Sequence, residues 1–186
     1  ASDRITMWKI GKTEEGRDMV VLAVADEATI KQLEKYKGML AQLTDPRTTT
    51  EEQAQQLIKT AKPIYWLTSG MHSTENGGPE TLMELAYRLA VQETPFVKGI
   101  RDSIITFITP VIEVDGREKN VDTYYFNKAR PAGAQRLPLM YWGKYVAHDN
   151  NRDGMGQFLA LTRNVTRFWL DWTPQVMHDL HEAATY

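Results

Sequence analysis

Cysteine is absent from the 186 residues. No disulfide braces the chain and no thiolate can bind a metal, so any metal site must be built from imidazole and carboxylate. Histidine itself is scarce, at four residues. No apolar run approaches the roughly 20 residues of a membrane span, and no signal peptide is visible. An excess of charge is missing too. The net charge of −2 gives no reason to expect nucleic acid or an anionic membrane as partner. Internal repeats and low-complexity segments are also lacking. What is present is ordinary: 42% hydrophobic and 25% charged residues, in a length that suits one domain (1–186) with a real core. The opening "ASDRIT" reads as the start of a processed mature form or of a trimmed chain.

The pattern of apolar residues predicts the elements. Residues 4–10 and 18–25 ("DMVVLAVA") read as strands around the polar turn "GKTEEGR". Between Glu27 and Leu43, Ile30, Leu33, Tyr36, Met39, Leu40 and Leu43 recur at three and four, which predicts a helix. A second helix follows "TDPRTTTEEQ", where Thr49 with Glu52, or Thr50 with Gln53, is spaced as a capping box. "PIYWLTSG" (63–70) is a short apolar run closed by glycine, as in a fully buried strand. Pro79 opens a helix that runs through Gln92, with Leu82, Leu85, Ala86 and Leu89 on one face. "SIITFITPV" (103–111) is a second buried strand. Residues 112–156 show little periodicity, and an irregular stretch of that length in a compact domain is usually functional. "GQFLALTRNVTRFWLDW" is a helix and "PQVMHDLH" (174–181) a last strand. The order predicts an α/β layer with a largely parallel or mixed central sheet flanked by helices. Ligands of such sheets bind outside the carboxyl ends of the strands.

Two chemically loaded segments fall at such ends. In "LTSGMHSTENGGPE", His72 and Glu75 stand three apart on the turn leaving a buried strand, with glycines on both sides that permit tight curvature. A catalytic zinc commonly takes three protein ligands from His and carboxylate and leaves one position open. On its own the pair reads equally well as a turn histidine and a charge at a helix entry. A third ligand is offered by "VMHDLHEA". Residues three apart in a strand face opposite ways, so His178 and His181 cannot both enter one site. His181 lies at the carboxyl end and is preferred, while His178 reads as a hydrogen-bonded core histidine. Asp179 shares the face of His181, as an outer acceptor or a partner for a nearby amide. Asn151-Arg152 in "AHDNNRDG" and Arg130 in "FNKARP" complete the list, since guanidinium binds carboxylate bidentately and can polarise a carbonyl.

"GMHSTENGG", "VIEVDG", "HDNNRDG" and "VMHDLHEA" occur in the order and roughly the spacing of the carboxypeptidase A-like zinc metallopeptidases. The sequence resembles the large bacterial branch of that family from about residue 4 to the end. The resemblance implies that His72, Glu75 and His181 bind Zn2+ and that Arg130 polarises the scissile carbonyl. It implies that Asn151 and Arg152 hold the terminal carboxylate of a peptide substrate with a free C-terminus, in a secreted or periplasmic setting. "EVDG" departs from the family's usual Asn-Pro-Asp-Gly. The family's general-base glutamate and its closing tyrosine come well after the third ligand, so the chain resembles the N-terminal part of a catalytic domain. Glu80, a turn into its helix, and Glu182, on the face opposite His181, are poor substitutes for that base. An incomplete sheet would leave a strand edge open to self-association. The alternatives are an amidohydrolase or deacylase on the same triad, a silent binding module, and an α/β domain whose histidines are structural.

Overall fold

The computed structural model describes residues 2–140 and 148–183. Its first strands, β1 (Ile5–Lys12) and β2 (Asp18–Val24), form an antiparallel hairpin. The helix predicted from Glu27 to Leu43 is two: α1 (Glu27–Ile30) and α2 (Leu33–Thr44). No proline or glycine marks the break between them. The capping ambiguity is settled at α3 (Glu51–Ile58). Thr50 accepts from the N–H of Gln53, whose side chain accepts from the N–H of Thr50 in return.

The centre of the sheet is parallel. Strands β3 (Ile64–Ser69) and β4 (Ile105–Thr109) pair side by side, and β5 (Val176–Leu180) joins the far side of β3. The order is β1-β2-β4-β3-β5, with β2 antiparallel to β4. The sheet is therefore mixed, with β5 and β1 at its edges. Helices α4 (Gly77–Val91) and α5 (Pro95–Ser103) connect β3 to β4. Then α6 (Val114–Lys128) and α7 (Ala160–Trp172) lead to β5.

Two of these helices depart from expectation. The short α5 starts at an N-cap threonine followed by proline: Thr94 accepts from the N–H of Val97, and Pro95 takes the first turn. The larger correction is α6, fifteen residues inside the stretch expected to be irregular. It buries Asp115, Gly116 and Asn120 rather than an apolar stripe. A helix that buries polar groups through hydrogen bonds gives no hydrophobic period. Residues 141–147 of that stretch lie outside the described residues.

Both faces of the sheet are covered. On one, Trp66 and Phe107 meet Phe168 and Trp172 of α7, with ring centroids 5.2 Å apart for Trp66–Phe168 and 5.1 Å for Phe107–Trp172. Edge-to-face aromatic pairs of this kind add about 0.5–1.5 kcal/mol each beyond their burial. On the other, Leu82, Ala86 and Leu89 of α4 pack on Val24 and Ile108. The core thus holds β3 and β4 between two helical layers, while β5 keeps one edge open. That openness corrects one expectation: His178 is exposed, not in the core, though its Nδ1 is hydrogen-bonded to Tyr65 Oη at 2.9 Å.

Candidate metal centre

The register of the parallel strands builds the site. Ser69 at the end of β3 lies opposite Leu180 at the end of β5, so the residues that leave the two strands emerge together. Gly70 then turns the chain with φ of +62°, a left-handed conformation that costs any other residue energy. The turn is closed by the Glu75 N–H donating to the His72 carbonyl at 3.1 Å. His72 and Glu75 come out buried, at 5% and 4% exposure, and His181 reaches them from β5 with its side chain 32% exposed. One donor atom from each of the three lies within 4.8 Å of the other two.

The orientation of the rings says more than the distances. His72 Nδ1 faces Glu75 Oε1 at 2.7 Å, and His181 Nδ1 faces Glu75 Oε2 at 3.1 Å. The other nitrogens are each held by an aspartate: His72 Nε2 by Asp149 at 3.1 Å, and His181 Nε2 by Asp179 at 2.9 Å. Ionised carboxylates only accept, so both nitrogens of each ring face acceptors, Glu75 on the Nδ1 side and an aspartate on the Nε2 side. Any ring nitrogen without a hydrogen would therefore present a lone pair to a carboxylate oxygen. Two acceptors at that distance repel unless positive charge lies between them. Two protonated rings or one divalent cation would supply it. Two imidazole nitrogens and a carboxylate form a donor set that suits zinc, and aspartates behind the histidines are the usual way to fix ligand tautomers. The residues fit the metal.

Asp149 was not anticipated as part of the site. Its signal in the sequence was its place two residues before Asn151, in a loop that had to meet the metal. Burial pushes its carboxyl up, but hydrogen bonds from His72 and the Asn151 N–H, helped by the charges of His72 and Arg152, hold it below the usual value. Asp149 also caps the short 3-10 turn Asn150–Arg152. Asp153 braces the far side of that turn, accepting from the Phe158 and Leu159 N–H groups and from His148 Nε2. Asp179, expected to be an outer acceptor or a partner for a nearby amide, lies against His181 Nε2 and accepts from Thr68 Oγ1 at 2.7 Å.

The three remaining candidates are not members of the triad. Asn151 and Arg152 are exposed on the turn after Asp149. Asn151 also lines a cavity of about 300 Å³ with Met71, Ile112 and Trp169. Arg130 follows the end of α6, exposed, with its guanidinium over the Phe126 ring at 5.2 Å. Among the described residues, none of the three hydrogen-bonds the triad. Glu182 is a surprise. Its N–H donates to Glu75 Oε2 at 3.1 Å, while its carboxylate turns back to accept from the Gly78 N–H at 2.7 Å. Its carboxylate thus binds the amino-terminal end of α4, a favourable place for an anion.

The chain belongs to the zinc carboxypeptidase family, which matches residues 1–172. His181 lies beyond the matched span, so its place in the triad rests on geometry. The fold is that of known carboxypeptidases. A putative carboxypeptidase A from Shewanella denitrificans is 18% identical, with a TM-score of 0.59 over 97% of this chain and 35% of its own. A metallo-carboxypeptidase from Burkholderia cenocepacia is 16% identical, with a TM-score of 0.60 over 97% of this chain and 37% of its own. The carboxypeptidase A of Helicoverpa armigera is 17% identical, with a TM-score of 0.58 over 98% and 42%. The chain therefore spans well under half the length of these structures. No curated sequence matches it significantly.

Proposed function

We propose that this chain carries the zinc site of a metallocarboxypeptidase acting on the C-terminal bond of a peptide. The observation that supports this most is the convergence of His72, Glu75 and His181, each imidazole backed by its own aspartate. When bound, zinc would supply a Lewis acid for the scissile carbonyl and lower the pKa of a water. The chain's own residues do the rest. Asp149 and Asp179 keep both Nδ1 atoms unprotonated and aimed inward. Asn151 and Arg152, at the mouth, bind the terminal carboxylate of the substrate, a planar two-point contact for which guanidinium is suited. Arg130 serves the carbonyl only after swinging off Phe126. Self-association through the open edge of β5 is part of the same proposal.

Proton transfer is the weak point of these 186 residues. Amide hydrolysis needs a carboxylate or similar group to move a proton to the leaving nitrogen. Glu75 faces both histidines, Asp149 and Asp179 hold the imidazoles, and Glu182 binds the start of α4. Among the described residues no carboxylate at the site is left for the task. The 186-residue chain should therefore hydrolyse free-acid peptides roughly 10² to 10⁴ times more slowly than a zinc carboxypeptidase with its base in place. An assay at matched zinc occupancy against such an enzyme checks this, and a comparable rate would show that a base within 1–186 was overlooked.

Metal content tests the reading itself. The purified protein should take up one equivalent of zinc. Alanine at His72, Glu75 or His181 should abolish stoichiometric binding, and His178→Ala should leave it intact. Retention of zinc by His181→Ala, or its loss in His178→Ala, would overturn the assignment of the triad.

A further inference from the structure

Helix α6 carries two asparagines seven residues apart, Asn120 and Asn127, and both make the same unusual contact. Asn120 Oδ1 accepts from the Met140 N–H at 2.5 Å while its Nδ2 donates to the Met140 carbonyl at 2.8 Å. Asn127 Oδ1 accepts from the Leu137 N–H at 2.9 Å while its Nδ2 donates to the Leu137 carbonyl at 2.8 Å. Each carboxamide thus reads one residue's donor and acceptor together, as a neighbouring β-strand would. The spacing fits. Seven residues of α-helix rise about 10.5 Å and return to nearly the same face, and three residues of extended chain cover about 10 Å. Asparagines at i and i+7 therefore match main-chain groups at j and j+3.

The segment that occupies them suits the arrangement. A turn at Pro131–Ala134, with Gly133 at φ of +82°, reverses the chain after α6. Residues 137–140 ("LPLM") then run back along the helix, antiparallel to it. Pro138 fixes its own φ and biases Leu137 toward extended backbone. It has no N–H to offer, and none is needed at j+1. The side chains do little of the holding: Leu137 and Leu139 are 52% and 46% exposed.

We infer that Asn120 and Asn127 form a binding site for extended peptide main chain, occupied here by the protein's own residues 137–140 and indifferent to their side chains. The strap covers one side of a groove of about 270 Å³ lined by Asn76, Arg117, Val121, Tyr124 and Tyr125. Asn76, in the lining of that groove, directly follows Glu75 in the chain. Held by two carboxamides, the strap opens as a unit without unfolding the sheet behind it.

Trypsin tests this at the Arg136–Leu137 bond, which needs local opening to be cut. Asn120→Leu and Asn127→Leu should each raise the native-state cleavage rate at Arg136 about tenfold, as expected for losing a pair of hydrogen bonds. The double variant Leu137→Ser/Leu139→Ser should stay within about twofold of the unaltered protein. Faster cleavage in the serine variant equal to that in the asparagine variants would show that side chains hold the strap and overturn the proposal. Unchanged cleavage in the asparagine variants would also overturn it. Should those variants fail to fold, amide hydrogen exchange in the unaltered protein decides. Protection at Leu137 and Met140 but not at Leu139 supports the clamp, and equal exchange at all three refutes it.

Discussion

Replacing Asp149 by leucine removes the acceptor behind His72 and leaves every proposed metal ligand in place. In the native site His72 Nε2 lies 3.1 Å from Asp149 Oδ1, and the same oxygen accepts from the Asn151 N–H at 2.9 Å. His72 is only 5% exposed, so water cannot readily take over the lost bond. The ring then loses both its tautomer preference and its orientation. Outer-shell partners of metal-bound histidine are worth 10- to 100-fold in affinity, or about 1.4–2.7 kcal/mol. The buried position puts Asp149→Leu near the upper end. Asp149→Asn keeps an acceptor oxygen and loses only charge, so about a tenfold loss is expected. Asp179→Leu should cost less than Asp149→Leu, because His181 is 32% exposed and water can reach its Nε2. Zinc affinity measured by competition with a chromophoric chelator gives all three values, with His178→Ala as the unaffected control. Native affinity in Asp149→Leu would refute the view that His72 binds metal through Nδ1 with Asp149 behind it.

Arg152→Lys should weaken a free-acid peptide several-fold without changing zinc content, because an ammonium cannot make the two-point contact. Equal affinity of the unaltered protein for a free-acid peptide and its amide, by calorimetry, would sink that assignment. Gly70→Ala should destabilise the fold by about 1–2 kcal/mol in urea unfolding. Its φ is +62°, and a Cβ there would sit 3.0 Å from Pro79; an unchanged midpoint would contradict the strain. Asp26 gives the acid response. Burial raises its pKa, but Lys62 and the Thr29 hydroxyl and N–H outweigh that and hold it at about 2. A depressed folded-state pKa means the stabilisation is full above the unfolded value near 4 and fades as pH falls from there toward 2. Discounted for partial exposure, it amounts to about 1 kcal/mol. Asp26→Asn should lose that much at pH 7 and flatten the stability profile between pH 4 and 2; a profile unchanged there would exclude Asp26 as its source.

Most elements with an apolar run or stripe were legible, whereas α6, which has neither, was missed, as was the short α5. β3 and β4 are continuous apolar runs because helices cover both faces, and α4 shows its stripe because Leu82, Ala86 and Leu89 meet the sheet. By contrast, α6 has no stripe to read. Its buried side chains beside Gly116 are Asp115, bonded to Thr13 and Arg17, and Asn120, bonded to the strap. Its tyrosines and phenylalanine, Tyr124–Phe126, face outward. Such a helix is specified by polar contacts with partners remote in sequence, which no local window contains. Likewise, nothing local distinguishes an edge strand from a central one, so His178 was placed in a core that does not close over it.

The site was legible for a different reason: the three proposed ligands sit at strand ends, and strand ends in a parallel sheet must converge. Alternation separated His178, inside β5, from His181, the first residue beyond it. It failed one residue further on. Regular pairing stops at Leu180, so the rule that would turn Glu182 away from the site no longer applies. The chain instead bends so that the Glu182 N–H meets Glu75 and its carboxylate meets the N–H of Gly78. One residue thereby ties the exit of β5 to the turn after β3 and to the entrance of α4. That link explains the glycines as well. A Cβ on Gly77 would fall on the Glu182 carboxylate, and one on Gly78 would stand 3.0 Å from Ser69. The two glycines let α4 start hard against the strand ends, which brings its free N–H groups within reach of an acid arriving from β5. Glu182 lies beside the proposed metal centre yet serves as an anchor for His181. Metal binding and the joining of β5 to the fold therefore draw on adjacent residues, so filling the site should also fasten the edge strand.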